Sequence, residues 1–347
     1  MSDEQTQILN ELLKFKKPVQ TLGGYAGTGK TTLIRQLVKK VDKFAVCAFT
    51  GKAANVLRKK RVSASTIHSL IYKPTKKKDR YGNPIFALAK SIPYDGIIVD
   101  EASMVNAKLY KDLLSFKLPI IFVGDHGQLE PIGSDINVMA RPDFTLETIH
   151  RNAGEIAHFA EWVRKGFNAV AFANNYPIQK IKFVNQFQMN QYLLEVDQII
   201  CAFNKTRVEI NNRVRQAKQY PPGVPIVGDR VMCLRNDHEI GLYNGMQGEI
   251  AYLYKKGHRM HFKTESKTFD VHFDPLQFGA KGYHSELHNL SDPHPFDWCD
   301  CVTVHKAQGD EWPSVMVIEQ HSTQWNHSRW AYTAASRAED KIIWVGF

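Results

Sequence analysis

The stretch GYAGTGKTT, residues 24–32, holds three glycines, one lysine and three threonines in nine positions. Its spacing, Gly24-x-x-x-x-Gly29-Lys30-Thr31, is that of a phosphate-binding loop. Glycines let backbone N–H groups close around a phosphate where a Cβ would clash. A helix that starts there points its positive end at the same anion. The segment PVQTLGG before the loop reads as a strand. In TTLIRQLVKKV after it, Leu33, Ile34, Leu37, Val38 and Val41 recur at helical spacing. Strand, glycine loop and helix together predict a nucleoside triphosphate site. Gly27, Thr28, Gly29, Lys30, Thr31 and Thr32 would surround the phosphates, with Lys30 reaching the β- and γ-phosphates and the Thr31 hydroxyl binding Mg²⁺.

Other short apolar runs end the same way. FAVCAFTGK reaches a polar end at Thr50, GIIVDEAS at Asp100 and Glu101, and PIIFVGD at Asp125. Such runs, buried on both faces and each followed by a helical segment, predict a parallel α/β sheet, whose ligands sit at the carboxyl ends of the strands. Asp100 is the candidate Mg²⁺ ligand and Glu101 the candidate base for an attacking water. The plainer reading of that pair is a surface acidic cluster at a strand end. Hydrolysis also calls for an arginine from another surface, and Arg151 in LETIHRN and Arg337 in YTAASRAED are candidates. Each could equally be a solvated arginine.

The pattern resumes in QIICAFN, CVTVH, SVMVIE and KIIWVGF. With 347 residues the chain suits two α/β domains, at 1–148 and 149–347. Two stretches break the rhythm. YKPTKKKDRYGNPIF, Tyr72 to Phe86, reads as a protruding hairpin within an insertion at about 72–92. From about 221 to 297, alternating short runs with an Asn244-Gly245 turn predict a small all-β insertion.

Lys and Arg number 45 against 35 Asp and Glu, a net charge of +10, which points to a polyanionic partner, either nucleic acid or a membrane surface. No apolar run approaches the ~20 residues of a membrane span. The polar start MSDEQTQILNELLKF is not a secretory leader. Five cysteines without framework spacing fit a reducing compartment, so a soluble cytoplasmic protein is expected. His284, His288, His294, Cys299 and Cys301 crowd into YHSELHNLSDPHPFDWCDC, but without the paired spacing of a zinc site. Cys301 is read instead as the start of a buried strand.

Taken in order, GYAGTGKTT, AFTGKAANVL, STIHSLI, VDEASMV, VGDHGQLEPIG, VTVHKAQGDEW and YTAASRAED resemble the motifs of superfamily 1 DNA helicases, in the 5′-to-3′ branch of phage Dda and RecD-like enzymes. The likeness covers almost the whole chain. It implies two RecA-like P-loop NTPase domains, the hairpin insertion, and an SH3-like β insertion. It also implies roles. Gln5 resembles the glutamine that reads adenine, although an ordinary helix-opening residue is a fair alternative. Gln128 resembles the γ-phosphate sensor, Arg151 and Arg337 the two arginines that reach ATP across the cleft, and Glu311 the acid at the nucleotide sugar. Thr50, Lys52 and His68 fall in segments that grip single-stranded DNA from the first domain, and Asn204, Thr303 and His305 in those of the second. Such grips hold phosphates without reading sequence. His68 and His305 could instead be structural histidines.

In this branch a hairpin placed like residues 72–86 acts as a pin that splits duplex. Phe86 or Tyr81 could stack on the last base pair, and Lys76, Lys77 and Lys78 could meet phosphates. The alternative is a solvated basic loop. The resemblance thus implies an ATP- and Mg²⁺-dependent helicase, sufficient as a monomer, acting on single-stranded DNA and duplex junctions, with single-strand-binding or replisome proteins as further partners. The motifs begin close to the first residue, so no extended N-terminal domain is expected. A translocase that strips proteins with little unwinding, an ATP-gated DNA-binding module and a nucleotide switch outside DNA metabolism stay open beside it.

Overall fold

The computed structural model describes residues 1–78, 84–130, 136–148, 154–235, 237, 240–242, 244–265, 267–280 and 293–346. The first half builds one parallel sheet. Its strands are β1 (Val19–Gly24), β2 (Phe44–Ala48) and β3 (Ser65–Thr66), then, beyond an antiparallel hairpin of β4 (Tyr72–Lys78) and β5 (Pro84–Leu88), β6 (Gly96–Asp100), β7 (Ile120–Gly124) and β8 (Phe144–Leu146). They lie in the order β3-β2-β6-β7-β1-β8. Side chains alternate across this sheet, so both faces are buried. On one face Leu22, Val46, Ile98 and Ile121 pack with Leu12, Leu33, Ile34 and Leu37 from the helices Asp3–Leu12 and Lys30–Val38. On the other, Ile97, Val99, Ile120 and Phe122 meet Ile67, Leu109 and Leu113. A Cβ at Gly96 would lie 2.2 Å from the Phe44 ring, so a larger residue there has to displace that ring.

The helix after the phosphate loop ends at Val38, and Val38 and Val41 are only partly buried at the rim of the cluster that Leu33, Ile34 and Leu37 fill. Among the described residues no helix joins β7 to β8, and the connection instead carries the turn that holds Gln128.

A second parallel sheet follows. It contains β9 (Ile181–Val184) and β10 (Gln198–Cys201), and after an interruption it resumes. The interruption is an antiparallel sheet of β11 (Arg230–Cys233), β12 (Gln247–Leu253), β13 (Arg259–Lys263), β14 (Thr268–His272) and β15 (Phe296–Trp298). Then come β16 (Cys301–Thr303), β17 (Trp312–Ile318) and β18 (Ala338–Val345), which complete the order β16-β10-β17-β18-β9. Helices Gly154–Arg164 and His327–Ala335 cover one face through Phe159, Val163, Trp330 and Ala334. Helix Asn204–Ala217 covers the other through Ile210 and Val214.

Five buried, unbridged cysteines lie within these cores. Cys301 opens β16, and its Sγ sits 3.6 Å from that of Cys201 on the neighbouring strand. His294 Nε2 lies 2.9 Å from Asp237 Oδ2, while His284 and His288 fall outside the described residues. No helix among the described residues is long and apolar enough to cross a membrane.

The antiparallel sheet is tied to helix Asn204–Ala217 by buried ions. Arg215 pairs with Asp229, donates to the carbonyls of Pro221 (2.8 Å) and Val224 (2.6 Å), and lies 4.3 Å over the Trp298 ring. Asp229 also accepts from Trp298 Nε1 and from the Ile226 amide. Both side chains are only 2% exposed. Removing one partner of such a pair strands a buried charge, which costs about 3–5 kcal/mol. Asp229→Ala should therefore lower stability by about that much, read as a fall in the midpoint of chemical denaturation. A change below about 1 kcal/mol would mean that water reaches Arg215.

Candidate functional site

The phosphate loop leaves β1 at Gly24, and the helix begins at Lys30. Gly27 (φ 79°) and Gly29 (φ 84°) hold left-handed backbone, which side chains other than glycine adopt at a cost. Gly24 has no space for a Cβ, which would lie 2.7 Å from Thr28 Oγ1. Thr28 is fully buried and its hydroxyl donates to Tyr25 O at 2.8 Å. Thr31 is half-buried and Thr32 exposed. Lys30 folds over the loop and donates to Gly24 O (2.7 Å) and Tyr25 O (2.9 Å), with Asp125 4.0 Å away. Gln5 explains how the first helix is docked. It closes a capping box with Ser2 and donates from Nε2 to Thr28 O at 3.1 Å.

Asp100 ends β6, and Glu101 follows in left-handed backbone (φ 53°, ψ 42°). For a residue with a Cβ this strain costs on the order of 1–2 kcal/mol, and it turns the chain sharply just past the strand. Burial raises the Asp100 carboxyl above its ordinary range, against the Glu101 amide and Lys30. Burial, and after it the Asp100 charge, pushes Glu101 up to about 7, against Arg337 and Lys30. Two crowded carboxyls held upward form a site short of positive charge. Oxygen donors of the kind that Asp100 and Thr31 carry are those that a hard divalent ion such as Mg²⁺ prefers.

The two sheets meet over this loop. Asp125, at the end of β7, is 1% exposed. Its carboxylate accepts from the Gly127 amide (2.9 Å), Gln128 Nε2 (3.3 Å) and, from the second half, the Tyr332 hydroxyl (2.5 Å). The same hydroxyl accepts from the Ala26 amide inside the phosphate loop at 2.7 Å. Burial, and after it Asp125, holds the Tyr332 phenol well above its usual range, so it remains a donor. Around it, Thr333 Oγ1 accepts from the Leu129 amide, Gln308 Nε2 donates to Leu129 O, and the Arg164 guanidinium lies 3.9 Å over the Tyr25 ring.

The sequence-selected residues fall into place unevenly. Gln128 is buried, and its Oε1 has no hydrogen-bond partner among the described residues. Arg337 is 3% exposed, and its guanidinium donates to Thr333 O (3.1 Å), Asp310 O (3.1 Å) and Ser336 Oγ (2.9 Å). It faces its own half here, although its charge is felt at Glu101. Glu311 is exposed, and its charge acts on Asp100 from the second half. Arg151 lies outside the described residues. The residues that single-sequence reading missed are Tyr332, Asp125 as an acceptor, Arg164, Thr333 and Gln308. Tyr332 and Thr333 stand in YTAASRAED, five and four positions before the arginine that the motif singles out.

Of the residues expected to grip a strand, Thr50, Asn204 and Thr303 stand at or just past the carboxyl ends of parallel strands. Thr50 caps helix Gly51–Lys59 through the Ala53 amide, and Gly309 of the second half approaches it so closely that a Cβ there would lie 3.2 Å from its Oγ1. Lys52 lies in that helix. His68 is half-buried and stacks on Tyr72 at the root of the hairpin. Phe86 pairs with Pro74 across it, while Tyr81 lies outside the described residues. Asn204 is exposed at the start of helix Asn204–Ala217. Thr303 is buried and precedes the short helix Val304–Ala307 that carries His305, whose imidazole burial holds below its usual range.

Tyr332→Phe isolates the hydroxyl. It leaves the ring packing and removes one donor from Asp125 and the acceptor of the Ala26 amide. A hydrogen bond to a charged group contributes about 1.5–3 kcal/mol. Hydrogen exchange at the Ala26 amide should accelerate by roughly tenfold or more, since about 1.4 kcal/mol of local opening corresponds to that factor. Unchanged protection would remove the hydroxyl as the tie across the cleft.

Comparison with known proteins places this geometry. Residues 1–185 match the family described as an AAA domain, and residues 299–345 the UvrD-like helicase C-terminal domain. The ATP-dependent RecD2 DNA helicase of Deinococcus radiodurans is 26% identical over the whole chain, which spans 49% of that protein's length. The ATP-dependent DNA helicase dda of Enterobacteria phage T4 is 32% identical over 46% of the chain and 40% of its own length. The chain thus spans about half or less of these relatives. In fold it resembles Pif1 helicases at forked double-stranded DNA, with TM-score 0.66 at 19% identity over 100% of this chain and 92% of that one. It also resembles Bacteroides Pif1 in complex with ADP-AlF3 and single-stranded DNA, with TM-score 0.62, 19% identity and the same coverage. The AAA match covers more than half of the chain, and with the UvrD-like match and these relatives it makes the chain a member of the superfamily 1 helicases of the Dda and RecD-like type.

Proposed function

We propose that the chain hydrolyses ATP between its two parallel sheets and uses the cycle to move 5′ to 3′ along single-stranded DNA, separating duplex ahead of it. The observation that carries this reading is the joint contact of Tyr332 with Ala26 in the phosphate loop and Asp125 at the end of β7. One side chain of the second half thereby senses both the loop and the acid of the first. The reading takes 1–148 and 149–347 as two RecA-like domains, with an SH3-like insertion at about 221–297. It takes the hairpin at about 72–92 as a wedge in which Phe86 or Tyr81 stacks on the last base pair. A monomer suffices, because both halves of the site belong to one chain.

In this reading Lys30 gives up the Gly24 and Tyr25 carbonyls for the β- and γ-phosphates, and the amides of Gly27, Thr28, Gly29, Thr31 and Thr32 line them. Thr31 and Asp100 hold the Mg²⁺, which neutralises charge on the phosphate oxygens. Glu101 takes a proton from the attacking water, and Gln128 orients that water through Oε1. Arg337 and Arg151 stabilise the transferring phosphoryl group, Gln5 meets the adenine and Glu311 the sugar. Thr50, Lys52, His68 and Phe86 hold DNA from the first half, and Asn204, Thr303 and His305 from the second. Movement requires that these two grips change affinity differently as the cleft closes and opens. Base-pair stacking averages about 1.4 kcal/mol per step, within reach of one ATP.

The base assignment has a pH signature. Glu101 must be ionised to act, and in the free protein its carboxyl sits at about 7. kcat/KM for ATP should therefore rise with pH through about 7 and flatten above it. Glu101→Gln should reduce kcat by about 10²–10⁴ while ATP still binds. A profile unaltered by the substitution would assign the proton transfer elsewhere.

The function as a whole is tested by strand separation on duplexes with a 5′ or a 3′ single-stranded tail, with ATP and Mg²⁺. Unwinding from the 5′ tail alone is expected. ATPase stimulated by single strands without unwinding would favour a translocase that displaces bound proteins. Absence of both activities would leave a nucleotide switch or an ATP-gated binder.

A further inference from the structure

Outside the cleft, β17 ends one residue before Glu319, and the chain then loops to helix His327–Ala335. The Glu319 amide still pairs with Val345 O at 2.9 Å, and residues 320 and 321 lie in the loop. Gln320 turns toward helix Asn204–Ala217, accepting from the Ala202 amide (2.9 Å) and donating to Thr206 Oγ1 (2.8 Å). Asn326 caps the next helix through the Arg329 amide and so fixes His327 at its first turn. Glu319, His321 and His327 are thereby brought together. His327 Nε2 lies 2.9 Å and His321 Nε2 3.9 Å from Glu319 Oε1, and all three donor atoms lie within 4.8 Å of one another.

We propose that Glu319, His321 and His327 form a binding site for a divalent transition-metal ion of the zinc class. Two imidazoles and one carboxylate are a donor set that such ions favour over hard cations. Bonds of about 2.0–2.2 Å place tetrahedral ligands roughly 3.3–3.5 Å apart, and the observed separations bracket that value. The two rings are stacked, with centroids 3.8 Å apart and planes at 24°. His321 therefore has to swing off the stack to aim its nitrogen. Its side chain is 66% exposed and free to turn. The carboxylate is held from behind, because Trp344 Nε1 donates to Glu319 Oε2 at 2.8 Å. A ligand oriented through its second atom in this way is the usual support of a metal site. Burial works to raise the Glu319 carboxyl, but the bonds from His327 and Trp344 outweigh it and keep it below its usual range. The positive end of helix His327–Ala335 opposes a cation here, and that ionised carboxylate offsets it. Three protein ligands leave a position for water. The buried cysteines compete poorly, since burial raises the Cys47, Cys233, Cys299 and Cys301 thiols above their ordinary value.

The test is equilibrium dialysis of the chelator-treated full chain against Zn²⁺, without nucleotide or Mg²⁺, with Co²⁺ absorption as a second probe. His321→Ala removes an exposed ligand and should leave the metal-free melting temperature unchanged. The variant should lose one tight Zn²⁺ equivalent or bind it at least about tenfold more weakly, and lose the Co²⁺ band and the Zn²⁺-induced rise in melting temperature. Glu319→Gln should do the same, while His158→Ala, at an exposed histidine elsewhere, should not. Equal Zn²⁺ binding by wild type and His321→Ala, no tight binding by wild type, or an equal loss in His158→Ala would each overturn the proposal.

Discussion

A buried carboxylate must be surrounded by donors, and Asp125 draws its donors from both halves of the chain. The amide of Gly127 and the side chain of Gln128 come from its own turn, and the hydroxyl of Tyr332 comes from the far side of the cleft. Desolvation makes this arrangement stringent, because an unpaired buried charge is far more costly than a lost surface contact. Tyr332 cannot shift without leaving Asp125 short of a donor and the Ala26 amide short of an acceptor. The relative position of the two sheets is thus tied to the state of the phosphate loop. Helix His327–Ala335 transmits that tie, since it carries Tyr332 and Thr333 into the cleft and ends just before Arg337.

The parallel sheets were legible in the sequence because each strand is a short apolar run with a polar residue at its carboxyl end. Gly24, Asp100 and Asp125 all stand at those ends in the structure. The phosphate loop was legible for the same reason that it works: few residues other than glycine tolerate the backbone at Gly27 and Gly29. The tie across the cleft was not legible. Tyr332 reads as one more aromatic on an amphipathic helix, and nothing local to it indicates that its hydroxyl reaches Ala26, 306 positions away. Arg215 and Asp229 were hidden likewise, since a charged residue in a polar helix gives no sign in sequence that the tertiary fold will bury it.

The cysteines and histidines divide along the same line. Crowding near Cys299 invites a metal reading, yet Cys301 turns toward Cys201 on the adjacent strand, and His294 pairs with Asp237. Glu319, His321 and His327 gave no such invitation, because their spacing has no recurring pattern. A strand end, a loop and a helix cap bring them together, so their proximity belongs to the fold and not to a motif.

Lys30 and Arg337 make their hydrogen bonds here to neutral acceptors. Lys30 rests on two loop carbonyls, and Arg337 on two carbonyls and a hydroxyl. A phosphate adds a full opposite charge to what these charge-assisted bonds supply, and it can meet a guanidinium through two parallel bonds, so it competes well for both side chains. The exchange has consequences on each side. When Lys30 leaves Gly24 O and Tyr25 O, the loop loses its internal brace next to the Ala26 amide that Tyr332 holds. When Arg337 leaves Asp310 O and Thr333 O, it releases carbonyls at the end of helix His327–Ala335 and beside Gln247 of the antiparallel sheet, whose Nε2 donates to Asp310 Oδ2 at 3.1 Å. A ligand that recruits both cations therefore alters contacts in the loop and at the end of the helix at once, next to the residue that Gln247 holds. This gives the nucleotide site a physical route to surfaces that it does not touch.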